Sequence, residues 1–121
     1  MKITIERSEL IKSLGHVQSV VERRNTIPIL SNVKIEAAEG RLTLNATDMD
    51  LDMVDSVGAN VETPGAITVS AHTLYDIVRK LPEGSQVELN TSGDGQMQLS
   101  AGRSRFTLSC LPTDEFPVLS G

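Results

Sequence analysis

The sequence contains the same arrangement twice: a short strand pattern, a helical pattern and then three more strand patterns. Ile3-Thr4-Ile5 opens the first copy, and Ile67-Thr68-Val69 opens the second. Self-similarity along a chain indicates a duplicated structural unit whose copies bury their apolar faces together. We therefore predict a single domain over 1–121, built from two similar halves at about 1–62 and 63–121.

Three strand patterns close each copy, because apolar and polar residues alternate there with a period of two. Turn signals, Glu39-Gly40 and Gly93-Asp94-Gly95, separate the first two strands of each set. Cys110 continues one of the alternations and is predicted to be a buried structural thiol. The alternating apolar residues are Val33, Ile35, Leu42, Leu44, Met49, Leu51 and Met53 in the first copy, and Val87, Leu89, Met97, Leu99, Phe106, Leu108 and Cys110 in the second.

Both helical patterns are amphipathic, with an apolar stripe at helical spacing and a polar outer face. Lys12 and His16 lie on the outer face of the first helix, and Ser8 and Ser70 are candidate N-caps. Two helices on one face of antiparallel strands make an α+β layered domain. The apolar stripes are Leu10, Ile11, Leu14, Val17 and Val21 in the first helix and Leu74, Ile77, Val78 and Leu81 in the second.

The net charge is −5, which taken alone argues against binding to nucleic acid. The charge is unevenly distributed, however. Residues 1–30 hold five basic residues against three acidic ones, whereas residues 48–55 hold four aspartates and no base. A single cysteine excludes an intrachain disulfide and fits a reducing compartment. The N-terminus has no apolar run typical of a signal peptide, so we expect a cytoplasmic protein.

Metal, cofactor and catalytic sites are not expected. Asp48, Asp50 and Asp52 begin like a calcium loop, but Met53 stands where that loop needs glycine. His16 and His72 lack neighbours at zinc-ligand spacing. No nucleophile, base and oxyanion donors can be assembled from the sequence, which weakens the alternative of a small hydrolase or metal-dependent enzyme.

Five segments together carry a resemblance to a known family, the bacterial DNA polymerase III beta subunits or sliding clamps. They occur in the family's order over nearly the whole chain, which makes the combination specific. The resemblance implies the N-terminal domain of a clamp and the DNA-clamp fold. The segments are RRNTIPILSN at 23–32, GRLTLNATDMD at 40–50, LPEG at 81–84, SAGRSRF at 100–106 and LPTDEFP at 111–117.

The resemblance also implies a function. The family's subunit has three such domains, and two subunits form a homodimeric ring that encircles double-stranded DNA, slides without reading sequence and tethers DNA polymerase III. The clamp is a non-catalytic processivity factor of chromosomal replication and needs no cofactor. This chain would be the first domain, and the clamp loader and polymerase would bind through domains absent from it.

Site residues follow from matching positions in the family. The residues expected to meet DNA are Arg24, Arg23, Lys12, His72 and Arg79. The residues expected at the subunit interface, where an edge strand pairs with the other subunit, are Thr73, Gln96, Arg103, Arg105, Phe106 and Leu108. Many relatives carry a basic residue at the position of His72, and some do at Thr73 and Gln96, so both surfaces are expected to be less basic here.

Two interpretations of these residues without a binding partner stay open at this point. Each basic residue is also compatible with an ordinary solvated surface position, and a charged edge strand also serves to block aggregation. A dimerising module without a nucleic-acid role is a further alternative. The downstream reading frame discriminates, because a clamp gene should encode two more domains of the same pattern.

Overall fold

The computed structural model describes residues 1–19, 32–47, 52–91, 95–111 and 113. The predicted α+β class is confirmed: nine antiparallel strands form one sheet, and two helices accompany it. In chain order the elements are β1 Lys2–Glu6, α1 Arg7–Gln18, β2 Asn32–Ala38, β3 Arg41–Thr47, β4 Asp52–Gly58, β5 Asn60–Thr63, β6 Gly65–Ser70, α2 Ala71–Arg79, β7 Gln86–Thr91, β8 Gln96–Ala101 and β9 Ser104–Leu111.

The two predicted copies exchange their first strands. The order across the sheet is β4-β3-β2-β6-β9-β8-β7-β1-β5. β1 therefore pairs with β7 of the second copy, with Ile3 opposite Leu89, while β6 pairs with β2 of the first, with Ile67 opposite Ile35. Because the β1–β7 and β2–β6 ladders each join residues from both copies, the two copies share one sheet.

Two local details differ from the prediction: β5 was not predicted, and the N-cap of α1 is a different residue. The third strand of the first copy, predicted at 49–53, is described from Asp52 and extends to Gly58, and 48–51 lie outside the described residues. Helix α1 begins at Arg7, so Ser8 is not its N-cap; the cap residue is Glu6, without a side-chain bond. The extended backbone of β1 runs directly into the helix, which places Ser8 already in the first turn. Ser70 does cap α2, accepting a hydrogen bond from the backbone N–H of Thr73.

The core lies between the sheet and the two helices and is almost entirely aliphatic. Most residues of the predicted stripes point into it: Leu10, Leu14 and Val17 of α1 and Leu74 and Val78 of α2 are fully buried. Ile11 and Ile77 are partly buried against the core, and Val21 lies outside the described residues. Burying a side chain of this size contributes about 1.5–3 kcal/mol relative to leaving it exposed. Cys110 was expected to be buried but is only half-buried, because it packs against the margin of this core.

The helices run antiparallel and are tied together at one end by Arg7. Its Nε donates to the carbonyl of Val78 over 3.1 Å, and its Nη2 donates to the carbonyl of Arg79 over 3.0 Å. Carbonyls in the last turn of a helix lack the usual intrahelical donors. The guanidinium supplies a donor to Arg79 and adds one to Val78, whose carbonyl also accepts from the backbone N–H of Leu81, at the negative end of α2. Further along, Gly15 of α1 lies against the ring of Tyr75. We call α1, α2 and the adjoining Lys80 the helix layer.

Candidate nucleic-acid interface and subunit edge

The helix layer is more basic than the chain as a whole. It holds four permanent cations, Arg7, Lys12, Arg79 and Lys80, against the two carboxylates of Glu9 and Asp76. The whole chain, by contrast, has a net charge of −5. A local surplus of this kind attracts an anionic partner to one side of the molecule even when the total charge is negative.

Three of the predicted DNA-facing residues lie on this layer. Lys12 is exposed on α1, Arg79 is exposed in the last turn of α2, and His72 is half-buried in the first turn of α2. Lys12 and Arg79 are therefore open to solvent, whereas His72 is partly enclosed. Arg23 and Arg24 lie outside the described residues.

Arg79 forms an ion pair with Asp76 one turn earlier on the same helix. The distance from Nη2 of Arg79 to Oδ1 of Asp76 is 3.5 Å, and the two side chains are 58% and 39% exposed. Exposed pairs of this kind contribute about 0–1 kcal/mol, since water screens both charges. The pair therefore changes mainly the surface charge of the helix layer and contributes little to the stability of the domain.

A carboxylate of the sheet also reaches α1. Oδ2 of Asp55 on β4 lies 3.1 Å from Nδ1 of His16, and the backbone N–H of Ser56 donates to Oδ1 of the same carboxylate over 3.0 Å. The hydrogen bond with His16 lowers the pKa of Asp55 from its ordinary value, although partial burial acts in the opposite direction. Sequence reasoning missed this contact, because nothing local links positions 39 residues apart.

β9 has one open edge. Residues 104–109 pair with β8, whereas pairing with β6 is confined to Cys110 and Leu111, and no other described strand reaches that side. The backbone N–H of Cys110 donates to Gly95 beside β8. Because the direction of backbone groups alternates along an antiparallel strand, the N–H groups of Arg105, Thr107 and Ser109 point to the open edge.

A groove runs between α2 and this open edge. It has a volume of about 330 Å³ and is lined by Ser70, Thr73, Ile77, Phe106, Thr107, Leu108 and Ser109. Phe106 is 36% exposed, which is unusual for so large an apolar side chain, whereas Leu108 is only 5% exposed. The groove therefore presents an apolar ring next to unpaired backbone donors and acceptors.

The six predicted interface residues surround this edge on different faces. Thr73, Phe106 and Leu108 line the groove on the helix side. Arg105 alternates with Phe106, and Gln96 alternates with the buried Met97, so both lie on the outer face of the sheet. Arg103, predicted to lie on the strand, is in the turn that precedes it, because β9 begins at Ser104 after Gly102 with a φ of 58°.

Two other kinds of site are absent from the described ranges. No group of three or more His, Cys, Asp and Glu side chains within them is arranged to hold a metal ion. None of the helices there is both long enough and apolar enough to cross a lipid bilayer.

The chain is similar to known proteins along its whole length. The sequence model of a family described as "DNA polymerase III beta subunit, N-terminal domain" matches residues 1–120. The beta sliding clamp of Caulobacter vibrioides is 58% identical over 121 residues, which are 99% of this chain and 32% of that protein. The beta sliding clamp of Escherichia coli K12 is 42% identical over 120 residues, 98% of this chain and 32% of that protein.

Solved structures agree. A crystal structure of the DNA polymerase sliding clamp from Caulobacter crescentus is 57% identical, with a TM-score of 0.97, over 100% of this chain and 33% of that one. The DNA polymerase III subunit beta from Pseudomonas aeruginosa is 40% identical, with a TM-score of 0.96, over 100% of this chain and 33% of that one. The chain thus spans about a third of the length of these relatives.

Proposed function

We propose a function from one premise: the chain belongs to the DNA polymerase III beta subunit family, as its N-terminal domain. The full-length protein is a sliding clamp, a homodimeric ring that encircles duplex DNA and keeps DNA polymerase III on its template. Its relatives carry the name "Beta sliding clamp". Within the three-domain subunit, this chain supplies the first domain.

The observation that carries the proposal is that basic residues are in excess on the helix layer although the whole chain is acidic. The basic surplus of the helix layer, with Lys12 and Arg79 exposed to solvent, suits a surface that meets phosphates. Contacts to phosphates position a protein on DNA but carry no sequence information, which is what a sliding ring requires. Arg24 and Arg23 are proposed to add to this surface, and His72 to contribute less because it is partly enclosed.

Sliding requires that these contacts remain few. Each neutralised phosphate releases counterions and adds a salt-dependent increment to the affinity, so a strongly basic lining would hold the ring in place. Retention on DNA then comes from the closed ring rather than from affinity. The net charge of −5 is consistent with this, since an acidic exterior repels DNA from every surface but the lumen.

Ring closure is proposed to take place at the open edge of β9. A strand of the partner subunit would pair with the backbone donors of Thr107 and its alternate neighbours, since unpaired edges readily accept another strand. Phe106 would enter the partner's apolar surface, and Arg103 and Arg105 would meet carboxylates there. Thr73 and Gln96 flank the same edge and complete the contact area.

The remaining partners are assigned to other parts of the subunit. The clamp loader and the polymerase would bind through the two domains absent from this chain, so we expect this chain alone not to bind clamp-binding peptides at micromolar concentration. The protein acts in the cytoplasm as a non-catalytic accessory subunit and uses no cofactor.

Topological retention gives the decisive experiment. The full-length protein is loaded by its clamp loader onto a nicked circular plasmid, and the product is separated by gel filtration before and after a single restriction cut. We expect the protein to co-elute with the circle and to be lost from the linear form. Retention on both forms would show ordinary DNA binding, and binding to neither with an active loader would favour the dimerising module.

A further inference from the structure

We propose that Asp76 weakens the grip of the helix layer on duplex DNA by holding Arg79, and thereby sets how freely the ring slides. The inference rests on the proposed clamp function and adds a residue that limits DNA contact. Its basis is the 3.5 Å ion pair between the two side chains.

The position of Asp76 on the helix determines which way its charge faces. Ala71, Leu74 and Val78 form the buried stripe of α2. Each residue advances about 100° around a helix, so Asp76 lies nearly opposite that stripe and points away from the sheet. It therefore stands on the outward side of the helix layer, one turn before Arg79.

The ion pair is poorly explained as a stabilising contact. Both side chains are substantially exposed, and exposed pairs contribute about 0–1 kcal/mol. Towards a phosphate, however, the carboxylate acts twice: it competes for the guanidinium of Arg79, and its own negative charge repels the backbone of DNA. With two carboxylates against four cations on the layer, removing one is a large relative change.

The size of the effect follows from counterion release. Each phosphate that a protein neutralises adds about 0.9 to the slope of log affinity against log salt. Freeing Arg79 in Asp76→Asn would add up to about one such contact per subunit, and two in a homodimeric ring. We therefore expect several-fold slower sliding at low salt, with the difference disappearing as salt is raised.

The chain offers a matched control on the other face of the sheet. Nζ of Lys2 lies 3.5 Å from Oε2 of Glu62, and their side chains are 42% and 50% exposed, so this pair resembles Arg79–Asp76 in distance and exposure. Lys2 alternates with the buried Ile3 and so lies on the face away from the helices. Glu62→Gln removes the same charge without touching the helix layer.

The experiment measures the one-dimensional diffusion of fluorescent full-length rings, loaded onto circular DNA that is then stretched, over a range of salt concentrations. Asp76→Asn should diffuse several-fold more slowly than wild type at low salt, whereas Glu62→Gln and the charge-preserving Asp76→Glu should match wild type. Arg79→Gln should diffuse faster, and the effect of Asp76→Asn should shrink in that background.

The outcomes separate the two proposals. If wild-type rings load but Asp76→Asn diffuses like Glu62→Gln, this inference is wrong and the clamp function stands. If Glu62→Gln slows sliding as much as Asp76→Asn does, the effect is one of total charge, and the role of Asp76 is again overturned. If wild-type protein does not load, or remains on the DNA after the circle is cut, the proposed function itself fails and the inference fails with it.

Discussion

His16 and Asp55 are joined by a 3.1 Å contact between Nδ1 of the imidazole and Oδ2 of the carboxylate. His16 belongs to α1, and Asp55 belongs to β4, which is an end strand of the sheet. The contact therefore fastens the helix layer to the margin of the sheet. Because the carboxylate is held in its charged form, the contact also makes part of the stability depend on pH.

The contribution of this contact should be lost in acid. Since the pKa of Asp55 is lowered from its ordinary value of 3.8 on folding, the unfolded chain binds more protons than the native one as the pH falls through this range. The stabilisation is thus fully present above pH 3.8 and disappears as the pH falls through the lowered value. Chemical unfolding of wild type and Asp55→Asn should differ by up to about 1 kcal/mol at pH 7, and the difference should shrink as the pH falls below 3.8 through the lowered pKa.

His16→Gln provides the control for this pH dependence. In that background Asp55 has lost its main partner. Asp55→Asn should therefore lower the free energy of unfolding by less at pH 7, and this difference should depend less on pH. A cycle of the four proteins isolates the pairwise free energy. An undiminished cost of Asp55→Asn in the His16→Gln background would show that the carboxylate acts through other groups.

Arg7→Met should loosen the helix layer. The substitution keeps the aliphatic stem but removes the two hydrogen bonds to the carbonyls of Val78 and Arg79. Hydrogen bonds from charged groups contribute about 1.5–3 kcal/mol when buried, and partial exposure here reduces this to about 1–2 kcal/mol for the two together. Thermal and urea unfolding would measure the loss. Arg103→Met, made in an exposed turn, is the matched control and should change the free energy of unfolding by less than about 0.5 kcal/mol.

Local patterns in the sequence predicted the helices and most strands, because burial of one face imposes a period on the residues. They did not predict the strand exchange. β1 and β6 carry similar apolar alternations, so the local pattern allows either strand to pair with β2 or with β7. The pairing is decided by three-dimensional packing. β5 escaped prediction for another reason: Asn60, Glu62 and Thr63 are exposed and only Val61 is partly buried, so no clear alternation marks it.

The candidate site was predicted in a similarly uneven way. Family resemblance selected Thr73 and Phe106, which the structure brings together in one groove although they are distant in sequence. The alternation of β9 alone would have placed Arg105 on the opposite face from Phe106. The ion pair of Asp76 with Arg79 was available from its i, i+3 spacing, whereas the contact of His16 with Asp55 required the fold.

Proline at the open edge of β9 should block ring closure without unfolding the domain. Thr107 directs its backbone N–H away from β8, so Thr107→Pro removes a donor from the open edge and no bond from the existing ladder. We expect the full-length variant to sediment as a monomer at concentrations where wild type is a dimer, with little change in thermal unfolding.

Thr107→Val is the matched control for the proline variant, because it alters the side chain and keeps the N–H. It should remain dimeric. If Thr107→Pro also remained dimeric at the same concentration, pairing along this edge would not be what closes the ring.

Substitutions of Phe106 and Leu108 should affect subunit association and domain stability differently. They lie on the same face of β9, yet Phe106 is 36% exposed and Leu108 is 5% exposed. Leu108→Ala leaves a cavity in the core and should lower the free energy of unfolding by about 2–5 kcal/mol. Phe106→Ala should cost the domain less, about 1–2 kcal/mol, because its ring already meets water in this chain.

For dimerisation of the full-length protein, Phe106→Ala should be the more damaging of the two substitutions. A partly exposed aromatic ring that becomes buried between subunits is the kind of residue that contributes about 2 kcal/mol or more to an interface, so Phe106→Ala should weaken the dimer about 30-fold or more. Analytical ultracentrifugation of both variants, at a temperature where circular dichroism shows them folded, makes the comparison. If Leu108→Ala weakened the folded dimer more than Phe106→Ala did, the groove would be a consequence of core packing, and the partner would bind elsewhere on the edge.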